Sequence, residues 1–541
     1  MPAPTTQIEH VSPTAKRAQT VILALLSLLI VFGAPQVWNY TPDSGVYIGS
    51  AIALVEDGRY WFNGHPNLLY YPGTSTLLTA PIALFGMNFH AMHILFALLA
   101  VATLWLARAY FSTQRYGWVG LLLPLFLGAN QLFQLHSQLV LSDLPFLNLV
   151  LLALLLWRKF ETTGNQRWFF ACAAVVALAP MFRFQGLFLI GAFGLALLTY
   201  IYRNRQAGWA SGIKYLAIAG LVLLPFLLWT LRNYQLHTAD TYNMANKAFF
   251  GLSGLRISGP GFGRVDWIDA DWKYPVYQLM YLFGGLGNTF LGKLGDHIGL
   301  ELVTAGVLGL IVTGGWSWLK RAGTFEAAFV LTAAAMIIYQ KIGSKSLYHV
   351  VRYWIPLLPF FIVIAGLGIR QVGELLSITG YRRMALAGAG TLALILLFAG
   401  GIGWADRLSS ANNEKIAGNF DTSMTVAEYV RNQVPTERAI LATDWGVAPL
   451  LTGRRTYQYQ RSSCDKPTLE LILDKDPAYL VILPKFRRYK MALDMAEHYP
   501  QVFREVFATG NRDKGPFGAV YAIEKEQIPS LIADLRCPWE K

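Results

Sequence analysis

Residues Thr20–Val37 read TVILALLSLLIVFGAPQV, eighteen positions without a charged side chain. About 20 predominantly apolar residues cross the hydrocarbon of a bilayer as a helix, so this stretch is expected to span one. A secretory leader carries a similar run but is followed by a small-x-small cleavage site. None occurs within Pro35–Tyr40, which favours an uncleaved anchor. Ten further runs follow: Phe89–Ala107, Trp118–Leu135, Leu144–Trp157, Trp168–Met181, Gly186–Tyr202, Tyr215–Leu231, Leu302–Leu319, Thr324–Tyr339, Tyr353–Ile369 and Met384–Trp404. Where a run is short, flanking Arg and Lys side chains that reach back to the interface are expected to extend it. The expectation is a mainly α, polytopic membrane protein of about eleven spans.

Composition agrees. Of 541 residues, 54% are hydrophobic and only 14% charged, against about 25% charged in soluble domains. That excludes an ordinary soluble globule, and it excludes disorder, which needs low hydrophobicity and high charge. The net charge of +13 raises nucleic acid as a partner. Its distribution removes that support. With the N-terminus in the cytoplasm, one side collects 15 positive charges, from Lys16 to Arg383, against four acids. The opposite loops before Trp404 carry 11 positive and 10 negative charges, and the tail after it 19 and 18. This is the positive-inside bias of a membrane protein. It predicts a multi-pass protein of the cell (inner) membrane, N-terminus cytoplasmic and tail outside, with the lipid bilayer rather than nucleic acid as its partner.

Sidedness locates the chemistry. The cytoplasmic connections are short, and neither GxxxxGK[ST] nor a GxGxxG following a strand occurs. The glycines of Gly259-Pro260-Gly261-Phe262-Gly263 read as turn residues. The sizeable loops, 38–88, 232–300 and 341–352, lie outside with the tail, beyond reach of cytosolic nucleotides, so an activated substrate there would arrive attached to lipid. Residues 1–404 are expected to form the transmembrane domain and 405–541 an extracytoplasmic α/β domain. In the latter, Val426–Gln433 reads as helix, and Ala439–Thr443, Tyr479–Leu483 and Ala519–Ile523 as short buried strands. Cys464 and Cys537 share that region, where a disulfide is permitted; two unpaired thiols are the alternative. Cys172 lies in a span.

Few polar groups stand out at the outer face. Asp43, in Tyr40-Thr41-Pro42-Asp43-Ser44-Gly45-Val46-Tyr47, is placed to act as a general base; alternatively Asp43 or Ser44 caps the helix that follows. The tyrosines of Tyr70-Tyr71-Pro72-Gly73 are most simply interface anchors. Asp143, in Ser142-Asp143-Leu144-Pro145, is again compatible with a helix cap, a functional carboxylate, or both. Arg183 sits in a tight turn beside hydrocarbon, where it needs a carboxylate or a phosphate unless it snorkels. The segment 341–352 carries Lys341, Lys345, His349 and Arg352, an external basic cluster for which a lipid phosphate is the obvious counter-ion. No HExxH, CxxC or EF-hand spacing occurs. No tightly bound cofactor or structural metal is therefore expected; a divalent metal is left open but no spacing indicates one.

These motifs, in this order and on one side, resemble the GT-C membrane glycosyltransferases, nearest to the protein O-mannosyltransferase and lipid A aminoarabinose transferase group. The similarity is carried by Pro42–Tyr47, Tyr71-Pro72-Gly73, Ser142–Pro145, Arg183–Gly186, Arg352-Tyr353-Trp354-Ile355-Pro356-Leu357-Leu358-Pro359 and Leu451-Thr452-Gly453-Arg454. It implies transfer of a sugar from a polyprenyl-phosphate-linked donor to a hydroxyl-bearing acceptor. It implies catalytic roles for Asp43 and Asp143, with Arg352 and Lys345 at the donor phosphate. Arg183, Tyr71 and His349 are further candidates for binding the donor. Many relatives carry a second acid where this chain has Ser44; Glu56 and Asp57 are the substitutes at hand. The rival functions are a flippase or transporter of lipid-linked sugars, an assembly or sensor protein, and a polymerase or ligase using diphosphate-linked donors.

Overall fold

The computed structural model describes residues 12–112, 115–204, 215, 217–236, 299–342, 351–378, 401–459, 464–484, 488–512 and 515–535. Its first half is helical: α1 (Pro13–Phe32), α2 (Pro42–Asp57), α3 (Pro72–Phe85), α4 (Phe89–Phe111), α5 (Gly117–Ala129), α6 (Gln131–Ser137), α7 (Asp143–Thr163), α8 (Gln166–Leu178) and α9 (Gly186–Arg203). Between α2 and α3 a two-residue strand β1 (Trp61–Phe62) pairs antiparallel with β2 (His65–Pro66). Asn63 and Gly64 make the turn, both at positive φ, as a two-residue hairpin demands.

Helix α7 is the central post. Thirteen of its 21 residues are buried, which an ordinary surface helix with one apolar stripe does not show. It is tied to α4 by Asn148, whose amide donates to the Leu99 carbonyl at 2.8 Å and accepts from the Thr103 hydroxyl at 3.1 Å. By contrast α1 turns Leu25, Leu28 and Phe32 outward, Phe32 at 81% exposure. Such a face is at ease only in lipid. The helices Pro13–Phe32, Phe89–Phe111, Gly186–Arg203, Ala217–Gln235 and Arg352–Glu374 are long and apolar enough to cross a membrane. Helices α5 and α6, bent 61° apart, make a sixth if they are one broken span.

The chain is a multi-pass membrane protein, but the expected eleven spans are not reached among the described residues. Gln166–Met181 and Thr324–Ile338 are apolar and shorter than a full span. Helix α7 has the length but carries Asp143, Arg158, Lys159 and Glu161. Residues 379–400, most of the last expected run, lie outside the described residues.

Charges gather at one end of this bundle. Glu326, buried among spans, accepts from the Tyr110 hydroxyl at 2.7 Å, the Trp318 indole at 2.7 Å and Tyr116. Nearby Arg158 donates to the Tyr110 carbonyl and Arg321 to the Arg115 carbonyl. The opposite end carries α2, α3, the hairpin and a five-stranded sheet. Its strands are β3 (Ile440–Ala442), β4 (Thr456–Gln458), β5 (Tyr479–Ile482), β6 (Phe503–Gly510) and β7 (Phe517–Ile523), in the order β4-β3-β5-β7-β6. Strands β4, β3 and β5 run parallel, and β7 and β6 antiparallel to their neighbours.

Period-two alternation divides the central strands between two cores. Leu441, Leu480, Ile482 and Tyr521 pack with Leu469, Ile472 and Met495 beyond one face. Ile440, Ala442, Val481 and Val520 pack on the other with Val426 and Val430 of the helix Ser410–Gln433. That second core continues without a break into Tyr40, Tyr47 and Ile48 of the first loop and Val140 and Leu141 before α7. Cys464 is disulfide-bonded and Cys172 is a free, buried thiol; Cys537 lies outside the described residues.

Further contacts lock the sheet region to α2. The Tyr40 hydroxyl is 2.9 Å from the Ser423 hydroxyl and 3.1 Å from the Pro484 carbonyl. The Asn63 amide donates to the Thr456 carbonyl at 2.8 Å and accepts from its N–H at 2.9 Å. One side chain thus imitates an added strand on edge strand β4. Closest of all is a backbone contact between Gly45 and Gly446: a Cβ at Gly45 would lie 2.0 Å from the Gly446 carbonyl oxygen. Gly45→Ala must therefore push these backbones apart. A loss of about 1–3 kcal/mol is expected, as for overpacking. Gly191→Ala, where a Cβ meets open space, should be neutral; thermal unfolding of the detergent-solubilised variants checks both.

Candidate active site

Helix α2 starts with a capping box. The Thr41 hydroxyl accepts from the Ser44 N–H at 3.1 Å, and the Ser44 hydroxyl accepts from the Thr41 N–H at 2.8 Å. The cap is thus made by Thr41 and Ser44, and the Asp43 carboxylate is free for other partners. Its Oδ1 accepts from the Tyr70 hydroxyl at 2.7 Å, and its Oδ2 is ion-paired with Arg352 Nη1. Burial works to raise the Asp43 pKa. The Arg352 guanidinium, the Tyr70 hydroxyl and, at longer range, Arg183 outweigh it and hold the carboxyl below its usual value. Tyr70 is pushed the other way, by burial and then by the Asp43 charge, and stays a proton donor.

A second pair lies beside the first. Asp143 opens α7, as the Ser-Asp-x-Pro signal predicts, yet neither it nor Ser142 makes a side-chain cap. Asp143 Oδ1 instead accepts from Arg183 Nη1 at 2.6 Å. The same guanidinium donates to the Ser142 hydroxyl at 3.2 Å and to Gln185 Oε1 at 3.0 Å. The Tyr353 ring connects the pairs, with the Arg183 guanidinium 5.3 Å and the Arg352 guanidinium 5.6 Å from its centroid. Tyr47 closes the circuit: its hydroxyl donates to Ser142 at 3.1 Å, and its ring meets Tyr70 edge-on at 5.4 Å. Two buried polar atoms in this ring, Asp143 Oδ2 and Arg352 Nε, have no hydrogen-bond partner among the described residues.

The structure therefore brings together Asp43, Asp143, Arg183 and Arg352, which are spread over more than 300 residues of sequence. Lys345 and His349 lie outside the described residues. Tyr71 does not join the ring; it lies 6.4 Å from Trp229, and its neighbour Tyr70 reaches Asp43 instead. Adjacent residues on an extended backbone point to opposite sides, so a Tyr-Tyr pair leaves undecided which ring turns inward. Glu56 and Asp57 are exposed at the far end of α2, about 20 Å along the helix from Asp43, and do not replace the acid missing at Ser44. Among the described residues no group of three His, Cys, Asp or Glu stands together. Tyr47 and Tyr70 are the members sequence reasoning missed. The only signal for them was aromatic residues within a few positions of the loop's acid and of the Pro-Gly turn.

No family model matches the sequence, and no curated protein matches it. Solved structures do. ArnT from Cupriavidus metallidurans bound to undecaprenyl phosphate superposes with a TM-score of 0.55 at 14% identity, covering 93% of this chain and 98% of that one. Its apo state gives 0.54 at 14% identity, over 94% and 98%. The oligosaccharyltransferase of Archaeoglobus fulgidus in its apo form gives 0.52 at 12% identity, over 94% of this chain and 74% of that one. The chain has the GT-C fold of membrane glycosyltransferases.

The buried Asp143–Arg183 pair has a measurable signature. Arg183→Ala strands an uncompensated carboxylate and should cost about 3–5 kcal/mol. Adding Asp143→Asn should restore a large share of that loss. Thermal unfolding of the single and double variants in detergent reads the difference.

Proposed function

We propose that the protein transfers a sugar from a polyprenyl-phosphate-linked donor to a hydroxyl acceptor at the non-cytoplasmic membrane face, with inversion at the anomeric carbon. The observation that carries this reading is the Asp43–Arg352 pair. A carboxylate held in its ionised form sits against a guanidinium, and transfer from a phosphate leaving group needs one of each. Undecaprenyl phosphate bound to ArnT, a protein of the same fold, supports the donor class. The positive-inside charge distribution supports the face, and with it an extracytoplasmic position for residues 405–541.

Asp43 takes the proton of the acceptor hydroxyl as that oxygen attacks the anomeric carbon. The bond from that carbon to the phosphate oxygen breaks, and polyprenyl phosphate leaves with the electron pair. A positioned general base supplies about 10²–10⁴-fold, and cations at the developing charge supply more. Arg352 is that cation, with Lys345 and His349 assigned beside it from their sequence positions alone. Asp143 and Arg183 brace the other side of the site as a buried ion pair that ties the start of α7 to the turn before α9. Tyr71 stays outside the ring of paired charges, beside Trp229.

A base shared with a guanidinium is not fully available. Arg352 is 33% exposed and Asp43 16%, so an arriving phosphate can reach the guanidinium and draw it from the carboxylate. Donor binding then frees the base it requires. Asp43→Asn should abolish transfer, and because it removes Arg352's competing anion it should bind undecaprenyl phosphate several-fold more tightly than wild type. Turnover is measured with undecaprenyl-phosphate-linked hexoses and pentoses offered singly with a membrane extract as acceptor. Wild-type turnover by Asp43→Asn sinks the assignment of the base. Transfer only from diphosphate-linked glycans would replace the donor class by that of a polymerase or ligase.

A further inference from the structure

We propose that Trp445, in the loop that follows β3, is a positioning residue for the base: it holds the Tyr70 hydroxyl against Asp43. The inference rests on Asp43 acting as the base, as set out above.

Among the described residues the Asp43 carboxylate is bonded to Tyr70 and Arg352, not to Trp445. Its ring lies 6.1 Å from the Tyr70 ring at an interplanar angle of 50° and 6.0 Å from Phe62 at 75°, inside the range in which aromatic pairs attract. Tyr70 thus packs against two rings, Tyr47, edge-on at 5.4 Å, and Trp445. Phe62 belongs to the same hairpin as Asn63, which is pinned on Thr456. The backbone below Tyr70 is fixed as well: the Tyr60 hydroxyl lies 3.1 Å from the Tyr70 carbonyl and 3.2 Å from that of Tyr71. What sets the direction of the Tyr70 hydroxyl is therefore the two rings packed against its own.

The loop bearing Trp445 is in turn held to the helix bearing Asp43. Asp444 Oδ1 accepts from the N–H groups of Gly446, at 3.0 Å, and Val447, at 2.6 Å. Gly446 lies so close that a Cβ there would be 2.0 Å from the Pro42 carbonyl oxygen. Trp445 is thus flanked by a residue in backbone contact with the residue before Asp43. A donor ring and its acceptor carboxylate are registered through one loop of the sheet region, which gives that region a role in the chemistry.

Among the described residues the groups facing Asp43 are Tyr70 from the start of α3, Arg352 from the turn before its span, Arg183 at longer range, and Tyr47 from α2 itself. Asp143 is one residue further, screened by Arg183. Once donor phosphate occupies Arg352, Tyr70 is the hydrogen-bond donor left on the carboxylate among the described residues. Losing that bond raises the pKa of the base in the donor complex, and the rate fails at a higher pH as pH falls.

The test is a double-mutant cycle on the acid limb of the kcat profile, using the undecaprenyl-phosphate-linked sugar that wild type turns over. A hydrogen bond to a charged group corresponds to about one pH unit. Tyr70→Phe should move the limb upward by about that amount, Trp445→Ala by a similar amount, and Trp445→Phe by much less. In the Tyr70→Phe background, Trp445→Ala should add nothing, because its effect passes through the missing hydroxyl. An equal shift in both backgrounds overturns the proposal, as does an unmoved limb in Trp445→Ala with a normal one in Tyr70→Phe. A merely destabilised variant lowers the melting temperature without moving the limb, which likewise counts against it. If wild type transfers from none of the donors, the functional reading itself fails, a result distinct from all of these.

Discussion

A charge at the edge of hydrocarbon has to be answered by another charge, and much of this site follows from that constraint. Asp43 and Asp143 lie on different helices, each meeting an arginine from a third and fourth segment of the chain. Arg183 comes from the tight turn between α8 and α9, and Arg352 from the 3-10 turn that leads into a span. Removing any one of the four leaves a partner stranded in a poorly solvated place. The pairs therefore dictate how α2, α7 and the two turns converge, and the Tyr353 ring between the guanidinium groups fills the space left over.

The same pairs create a functional tension. Arginines expected at a lipid phosphate are each paired with a carboxylate of the chain itself. For Arg183 the pairing is buried, 7% against 1% exposed, and reads as architecture. For Arg352 it is partly open to solvent, 33% exposed against 16% for Asp43, which is what the proposed exchange of one anion for another requires. Two pairs of the same chemical type thus take different roles because one can be reached and the other cannot.

Several features were legible in the sequence. The first ten apolar runs coincide with helices, and Asp43, Asp143, Arg183 and Arg352 converge as their shared sidedness suggested. The helix start at Asp143 was readable; the role of its side chain was not, since a cap and an ion pair draw on the same residue types. At Asp43 the cap falls to Thr41 and Ser44. Strands β3, β5 and β7 appear where apolar runs stood, while β4 and β6 carried no such signal. Both are edge strands, β4 only three residues long and β6 bearing exposed Arg504 and Glu505. An edge strand buries one face and pairs on one side, so its sequence is under weaker constraint.

Arg454 shows the limit of reading motifs alone. It closes the Leu451–Arg454 segment that resembles the family, yet its guanidinium is spent on the carbonyls of Arg431 and Val434 at the end of a helix. Hydropathy and charge along the chain are enough to read a multi-pass membrane protein and to single out the few acids and bases that converge. Both properties belong to each residue wherever the chain goes. It took the packed chain to bring Tyr70 rather than Tyr71 to Asp43 and to pair Arg352 with that carboxylate. Packing also placed a tryptophan about 400 residues from Asp43 against the donor ring. Those are facts of distance and direction, and distance between segments remote in sequence is set by packing, here by two glycine backbones in contact.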